Sequence, residues 1–363
     1  MKEQYLSNLY LAGKNCFSYL LSSIKEDGTF IYELNPNTGK RSNKYNILRH
    51  AGTLYALYQW IDFSEDTKAY PLLNKPTEYL LKQIKPVMGK VENIVCTIEE
   101  GEVKLGGSAL SLLMLIERYK IQKDIYELET MKNLARFIVW MQEPTGRFKS
   151  KFLFEKGEFS NFVSIYYSGQ AILALVRLYK IDSNPIWLNA AELGSKYLLK
   201  NPVMKSNNER GHNHWLTIAL SELCIYKANE DFYNELYLIL KPTIASVYRN
   251  LKYLDNEQNH SKLYSSAAMA TRGEAIMAAA VLEAYVENYS NAAGLLVVVE
   301  KVLSYCLSLQ ISDQTSLYST GIMGGIKKTK LDSSIRIDYV QHVLHVIIGF
   351  LSVQKLIKKA EFV

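Results

Sequence analysis

Gly106-Gly107-Ser108-Ala109 opens a long apolar run, and stretches of the same kind recur: Ala51-Gly52-Thr53, Ser168-Gly169-Gln170-Ala171 and Ala278-Ala279-Ala280. Apolar residues return with a period near 3.6 through most of the sequence, which predicts helix almost throughout. The period places helices near residues 5–24, 46–60, 67–85, 106–120, 126–142, 164–180, 184–200, 212–228, 231–250, 265–288, 290–309 and 333–358. Even-numbered members carry the small residues. Odd-numbered ones, such as 67–85 and 184–200, mix apolar positions with Lys, Glu and Asn. Gly and Ala let neighbouring backbones approach closely, so the alternation predicts a crowded inner ring wrapped by amphipathic outer helices.

The connections alternate as well. Links from an even helix to the next odd one are short, as at Asp182-Ser183, while links from odd to even are long: 25–45, 86–105, 143–163, 201–211, 251–264 and 310–332. Long links on one side only gather the functional loops on one face. With Arg49, Gly107, Ser168, Asn213, Gly273 and Ile337 as matched starts, the intervals are 58, 61, 45, 60 and 64 residues. Helical hairpins at such a period predict a closed toroid or an open solenoid, and six pairs favour closure. The long loops carry a repeated signature, Asp27-Gly28-Thr29-Phe30, Thr145-Gly146-Arg147-Phe148 and, more loosely, Gly324-Gly325-Ile326. It predicts tight turns with small β-hairpins, such as Phe30 to Leu34 ahead of Asn35-Pro36-Asn37-Thr38-Gly39. Without a low-complexity linker, residues 1–363 read as a single all-α domain.

Composition narrows the classes of function. The 42 basic and 36 acidic residues are spread along the chain with no run of five like charges, which argues against nucleic-acid binding. The net charge of +6 is compatible with acidic ligands such as uronic acids or phosphorylated sugars. Cys16, Cys96, Cys224 and Cys306 are far apart and form no CxxC pair, which suits a reducing compartment. The N-terminus does not read as a signal peptide, and no 18 apolar residues run uninterrupted. The expectation is a cytoplasmic protein without a membrane span.

The polar groups concentrate at the starts of the even helices. Arg49-His50 opens the second, where a helix N-terminus biases histidine towards its neutral form and Arg49 offers a forked contact to an anion. Gly211-His212-Asn213-His214-Trp215 sets two histidines beside an aromatic platform of the kind that stacks on a sugar face. A metal site needs three or four converging ligands and none is expected here. In Arg272-Gly273-Glu274 the glutamate falls on a buried, Ala-rich helix. It is either ion-paired with Arg272 or an acid/base whose pKa burial raises. In Ile335-Arg336-Ile337-Asp338-Tyr339-Val340-Gln341-His342, Asp338, His342 and His345 fall at i, i+4 and i+7 on one helix face. An Asp beside a His is the arrangement for general acid/base work, with His345 a deeper core residue. Tyr166-Tyr167-Ser168-Gly169-Gln170 supplies hydroxyl and amide groups at another start, and Gly106-Gly107 lacks a phosphate-loop Lys.

In helix number and alternation the whole chain resembles the six-hairpin (α/α)6 toroids, an architecture shared by glycoside hydrolases, uronyl hydrolases, sugar epimerases and polysaccharide lyases. The resemblance implies an active site in a cup at the N-terminal ends of the inner helices. It therefore implies a carbohydrate-active enzyme, glycoside hydrolase-like or a lyase or epimerase, without a cofactor. Asp338, Glu274, His342 and His214 are the catalytic candidates. Arg49, His50, His212, Trp215, Arg272, Arg336, Tyr167 and Gln170 are the substrate contacts. Two other readings stand beside it: a non-catalytic toroid that binds glycan or peptide, and a cyclase or transferase, although the zinc motifs of lanthionine cyclases and the acidic motif of terpene cyclases are missing.

Overall fold

A computed structural model describes residues 2–87, 93–201, 213–227, 229–254, 257–312 and 321–360. Twelve α-helices run through the described residues, close to the predicted positions. They are α1 (Lys2–Ser22), α2 (Ile47–Ser64), α3 (Asn74–Leu81), α4 (Leu105–Gln122), α5 (Ile125–Trp140) and α6 (Tyr167–Asp182). The rest are α7 (Pro185–Lys200), α8 (His214–Tyr226), α9 (Glu230–Lys252), α10 (Ser266–Tyr285), α11 (Tyr289–Leu307) and α12 (Ile337–Ala360). The third departs most from its predicted span of 67–85. Pro71 lies within a 3-10 stretch, Thr67–Leu73, and the α-helix begins only at Asn74. At the far end Lys85 precedes Pro86, which biases it towards extended backbone, and Ile84–Pro86 is a strand.

The short links share one device. Glu65, Lys123, Ser183 and Glu287 each adopt a left-handed conformation, with φ of 59°, 57°, 56° and 62°. Each is followed by Asp or Asn: Asp66, Asp124, Asn184 and Asn288. Asp124 accepts from the Tyr126 amide, Asn184 from Ile186 and Asn288 from Asn291. At Lys123-Asp124 and Ser183-Asn184 one residue thus ends a helix and the next caps its successor, in a turn of two residues. Asp66 makes no side-chain cap bond, and three residues separate α10 from α11. The glycine signature behaves as the sequence predicts. Gly28, Gly146 and Gly324 have φ of 83°, 94° and 87°, and antiparallel bridges Ile24↔Phe30, Gln142↔Phe148 and Gln310↔Ile326 close the turns after α1, α5 and α11.

Among the described residues, seven short strands form small antiparallel sheets: β1 (Glu33–Leu34) with β7 (Ile335–Arg336), β2 (Ile84–Pro86) with β3 (Val95–Thr97), and β4 (Glu102–Lys104), β5 (Lys151–Leu153) and β6 (Glu158–Phe159) in order. Strands β4 and β7 lead directly into α4 and α12.

The residues fall into two compact units. Unit one comprises Met1–Tyr45, Gln59–Pro76 and Leu240–Val363; unit two comprises Asn46–Tyr58 and Thr77–Ile239. In unit two the even helices α4, α6 and α8 pack in succession, with α5 and α7 against α4 and α6. Gly169 shows why these helices need small residues. A Cβ placed there would lie 2.6 Å from the Leu216 amide nitrogen and 2.9 Å from the Trp215 carbonyl carbon, both backbone atoms of α8. Gly169→Ala is expected to cost about 1–3 kcal/mol through overpacking, measured by urea denaturation; a neutral result would mean that α6 and α8 can separate freely. In unit one α10 packs on α11 and α12, and α12 also meets α1. Helices α11 and α12 are long and apolar enough by composition to cross a membrane, although neither holds 18 uninterrupted apolar residues. Half or more of each such window, 50% and 56%, is buried within the protein, the property of core helices.

Candidate active site

In unit one the site forms where α10 packs on α12. Ser265 caps α10 by accepting from the Ala268 amide at 3.2 Å, and within the first three turns the helix presents Arg272 and Glu274. On α12 the spacing of Asp338, His342 and His345 sets the three side chains along one face. His342 Nδ1 donates to Glu274 Oε1 at 2.8 Å, and His345 Nδ1 donates to the same oxygen at 3.2 Å. The carboxylate is buried, 6% exposed, and the two imidazole rings stand nearly perpendicular at 78°. Burial alone would raise the Glu274 carboxyl, but the charge and hydrogen bonds of the two imidazoles outweigh it and hold the group below the usual carboxylate range. The sequence reading allowed a raised pKa here. The structure reverses the direction, because the partners that decide it lie on another helix.

A glutamate whose folded-state pKa is depressed contributes stability above its unfolded pKa, about 4.3, and loses that contribution as the pH falls below it. Glu274→Gln is therefore expected to flatten the acid side of the stability–pH curve. Urea denaturation as a function of pH would check this, and an unchanged acid limb would contradict it.

Asp338 has a different partner from the one expected. Strand β1 pairs with β7 so that Glu33 faces Arg336, which sets Arg336 beside the first turn of α12. Its Nε donates to Asp338 Oδ1 at 2.6 Å and its Nη2 to Oδ2 at 3.0 Å. This fork spends both carboxylate oxygens on a permanent cation. The guanidinium also lies 4.5 Å from the centroid of the Tyr339 ring. Burial pushes the Tyr339 phenol up to about 12, so it keeps its proton at neutral pH. Arg272 is engaged elsewhere: its Nε donates to Ser246 Oγ at 2.7 Å, it bonds the Ala268 carbonyl, and it stacks 4.2 Å from the Tyr264 ring centroid. The sequence reading missed His345 as a member of the site, although its i+7 spacing from Asp338 was the available signal.

Unit two holds the other candidates. Asn46 accepts from the Leu48 and Arg49 amides at 2.9 and 3.2 Å and so starts α2. His50 is 0% exposed with its ring 5.0 Å from that of Tyr79. At that burial its ring packs within the core of the unit beside Tyr79. Asn213 caps α8 through Leu216 and ties it to the Ile165 carbonyl. His214 lies 4.9 Å from Trp215 and 6.2 Å from Tyr166, ring to ring. Trp215 is 4% exposed and forms an apolar wall beside His214. His212 lies outside the described residues. Lys104, at the start of α4, bonds Glu99 at 2.8 Å. Burial raises the nearby Tyr167 phenol, opposed by Lys104 and, less, by Arg49. Gln170 is buried, and its Oε1 has no hydrogen-bond partner among the described residues. That leaves an acceptor suited to a ligand hydroxyl.

No family model and no curated protein matches this sequence. Solved structures do. A cellobiose 2-epimerase from Spirochaeta thermophila superposes with a TM-score of 0.71 at 10% identity, covering 97% of this chain and 98% of that one. A cellobiose 2-epimerase from Bacillus thermoamylovorans gives 0.68 at 11%, covering 96% and 99%. An unsaturated glucuronyl hydrolase specific for heparin gives 0.65 at 12%, covering 96% and 98%. The fold is the (α/α)6 toroid. At these identities the likeness concerns the fold alone.

Proposed function

We propose that this toroid is a carbohydrate-active enzyme whose chemistry is proton transfer at a sugar carbon, as in an epimerase, isomerase or lyase. The observation that carries the reading is the buried Glu274 carboxylate held by His342 and His345. In its neutral form His342 keeps Nδ1–H on Glu274, and Nε2 then bears the lone pair that takes up a proton. The carboxylate orients the ring and stabilises the imidazolium that forms. A glycosidase of the usual kind needs a carboxylic acid that is protonated at working pH, paired with a second carboxylate. Glu274 is held ionised and Asp338 sits in the fork of Arg336, so neither suits the acid role. Arg336 and Tyr339, beside this cluster in the same unit, are the groups for a substrate hydroxyl or carboxylate. The four cysteines are free thiols, which supports a reducing, cytoplasmic setting.

The test is turnover of cellobiose, mannose, glucose and uronic-acid disaccharides in D2O, followed by NMR. Proton transfer through an imidazole predicts solvent deuterium at the carbon next to the carbonyl. Cleavage of a glycosidic bond with no carbon-bound deuterium would replace this reading with hydrolysis, and saccharide binding without turnover would replace it with a binding toroid.

A further inference from the structure

A cavity of about 550 Å³ lies within unit two, between the C-terminal half of α5 and the turn from α6 to α7; Ile94, Lys132, Arg136, Trp140, Asp182 and Trp187 line it. It is distinct from the Tyr167–Gln170 group. Those residues start α6 and Asp182 ends it, about 22 Å away along the helix at 1.5 Å per residue. Nothing in the proposed chemistry uses this cavity.

The lining has one satisfied acid and two cations with capacity to spare. Asp182 Oδ2 accepts from Trp187 Nε1 at 2.9 Å and Oδ1 from the Asn184 amide at 3.1 Å. Lys132 makes no ion pair among the described residues. Arg136 spends Nη1 on Glu129 and Asn133 of its own helix. Lys132 and Arg136 are four residues apart and so project from one face of α5. Trp140 follows one turn later. Its indole packs against Phe137, Phe152 and Phe159, at 5.8, 5.2 and 5.0 Å between centroids. A fixed aromatic wall, two cationic donors and this volume together match a ligand with an apolar face and an anionic group.

We propose that the cavity is a second ligand site that takes an anionic sugar, a pyranose bearing a carboxylate or a phosphate. The ring lies against Trp140 and the anion meets Lys132 and Arg136.

Isothermal titration of the full chain with glucuronate, glucose 6-phosphate and glucose tests this. At least one charged sugar is expected to bind at millimolar concentration or below, and glucose to bind much more weakly. Lys132→Glu is expected to weaken the charged ligand by about tenfold or more and Lys132→Ala by less. Lys68→Glu, the same charge change on an exposed lysine of the other unit, should leave it unchanged. Binding of one charged sugar only identifies the anion as carboxylate or phosphate. No binding of either, equal binding of glucose, or affinity untouched by both Lys132 variants in folded protein would overturn the proposal.

Discussion

His342→Gln is expected to lower turnover by about 10²- to 10⁴-fold, the usual worth of a positioned general base, while leaving the protein folded. Glutamine keeps a donor within reach of Glu274 Oε1, so the buried carboxylate retains one of its bonds, but it has no nitrogen that takes up a proton near neutral pH. The loss should fall on kcat more than on KM, because the proton moves only in the transition state. His345→Gln should cost far less, since His345 only donates to Glu274 Oε1 and is assigned no proton transfer. Steady-state kinetics on the best sugar from the deuterium screen would compare the two. Equal, small losses would mean that the Glu274 cluster is a core ion pair and that the chemistry lies elsewhere.

Arg177→Met is expected to destabilise the chain by about 3–5 kcal/mol, the range found when one member of a buried ion pair is removed. Arg177 sits on α6 and reaches three other helices at once. Its Nε lies 3.0 Å from both oxygens of Glu222 on α8, its Nη2 2.6 Å from Oε1, and its Nη1 3.5 Å from Glu117 on α4. The same Nη1 bonds the Tyr55 hydroxyl. Methionine fills much of the volume yet leaves Glu117, which is 1% exposed, without that cation. Glu222 is 27% exposed and can recover some hydration, which favours the lower end of the range. Urea denaturation of Arg177→Met, Glu222→Gln and the double variant would separate the pair's coupling from the cost of the cavity. A loss below about 1 kcal/mol would place the pair with ordinary surface salt bridges.

The legible part of this protein is what local physics controls. Helix positions follow from a period that each segment carries within itself, and the closures after α1, α5 and α11 follow from a glycine that reaches positive φ without a Cβ penalty. Gly169 was likewise readable as a close-approach residue, although its partner, the backbone at Trp215 and Leu216, was not. The Arg336–Asp338 fork was within reach too, since its members are two residues apart. It went unread because His342, one turn further along, offered a more familiar partner for Asp338.

Glu274 shows where local reading stops. Its two partners are 68 and 71 residues away, and no pattern inside α10 or α12 says which rotational face of one helix meets which face of the other. The same holds for Arg177, whose three partners come from three other helices, and for His50, whose polarity suggested a ligand but whose position is inside the packing. The sequence by itself determined the helices, their alternation of small and amphipathic faces, the turns between them and the kinds of side chain at the helix starts. That Glu274 is an anion held by two histidines, and that Arg177 ties three other helices together, came only with tertiary packing. Pairing energies depend on distance and burial across helices, and those exist only once the faces have met.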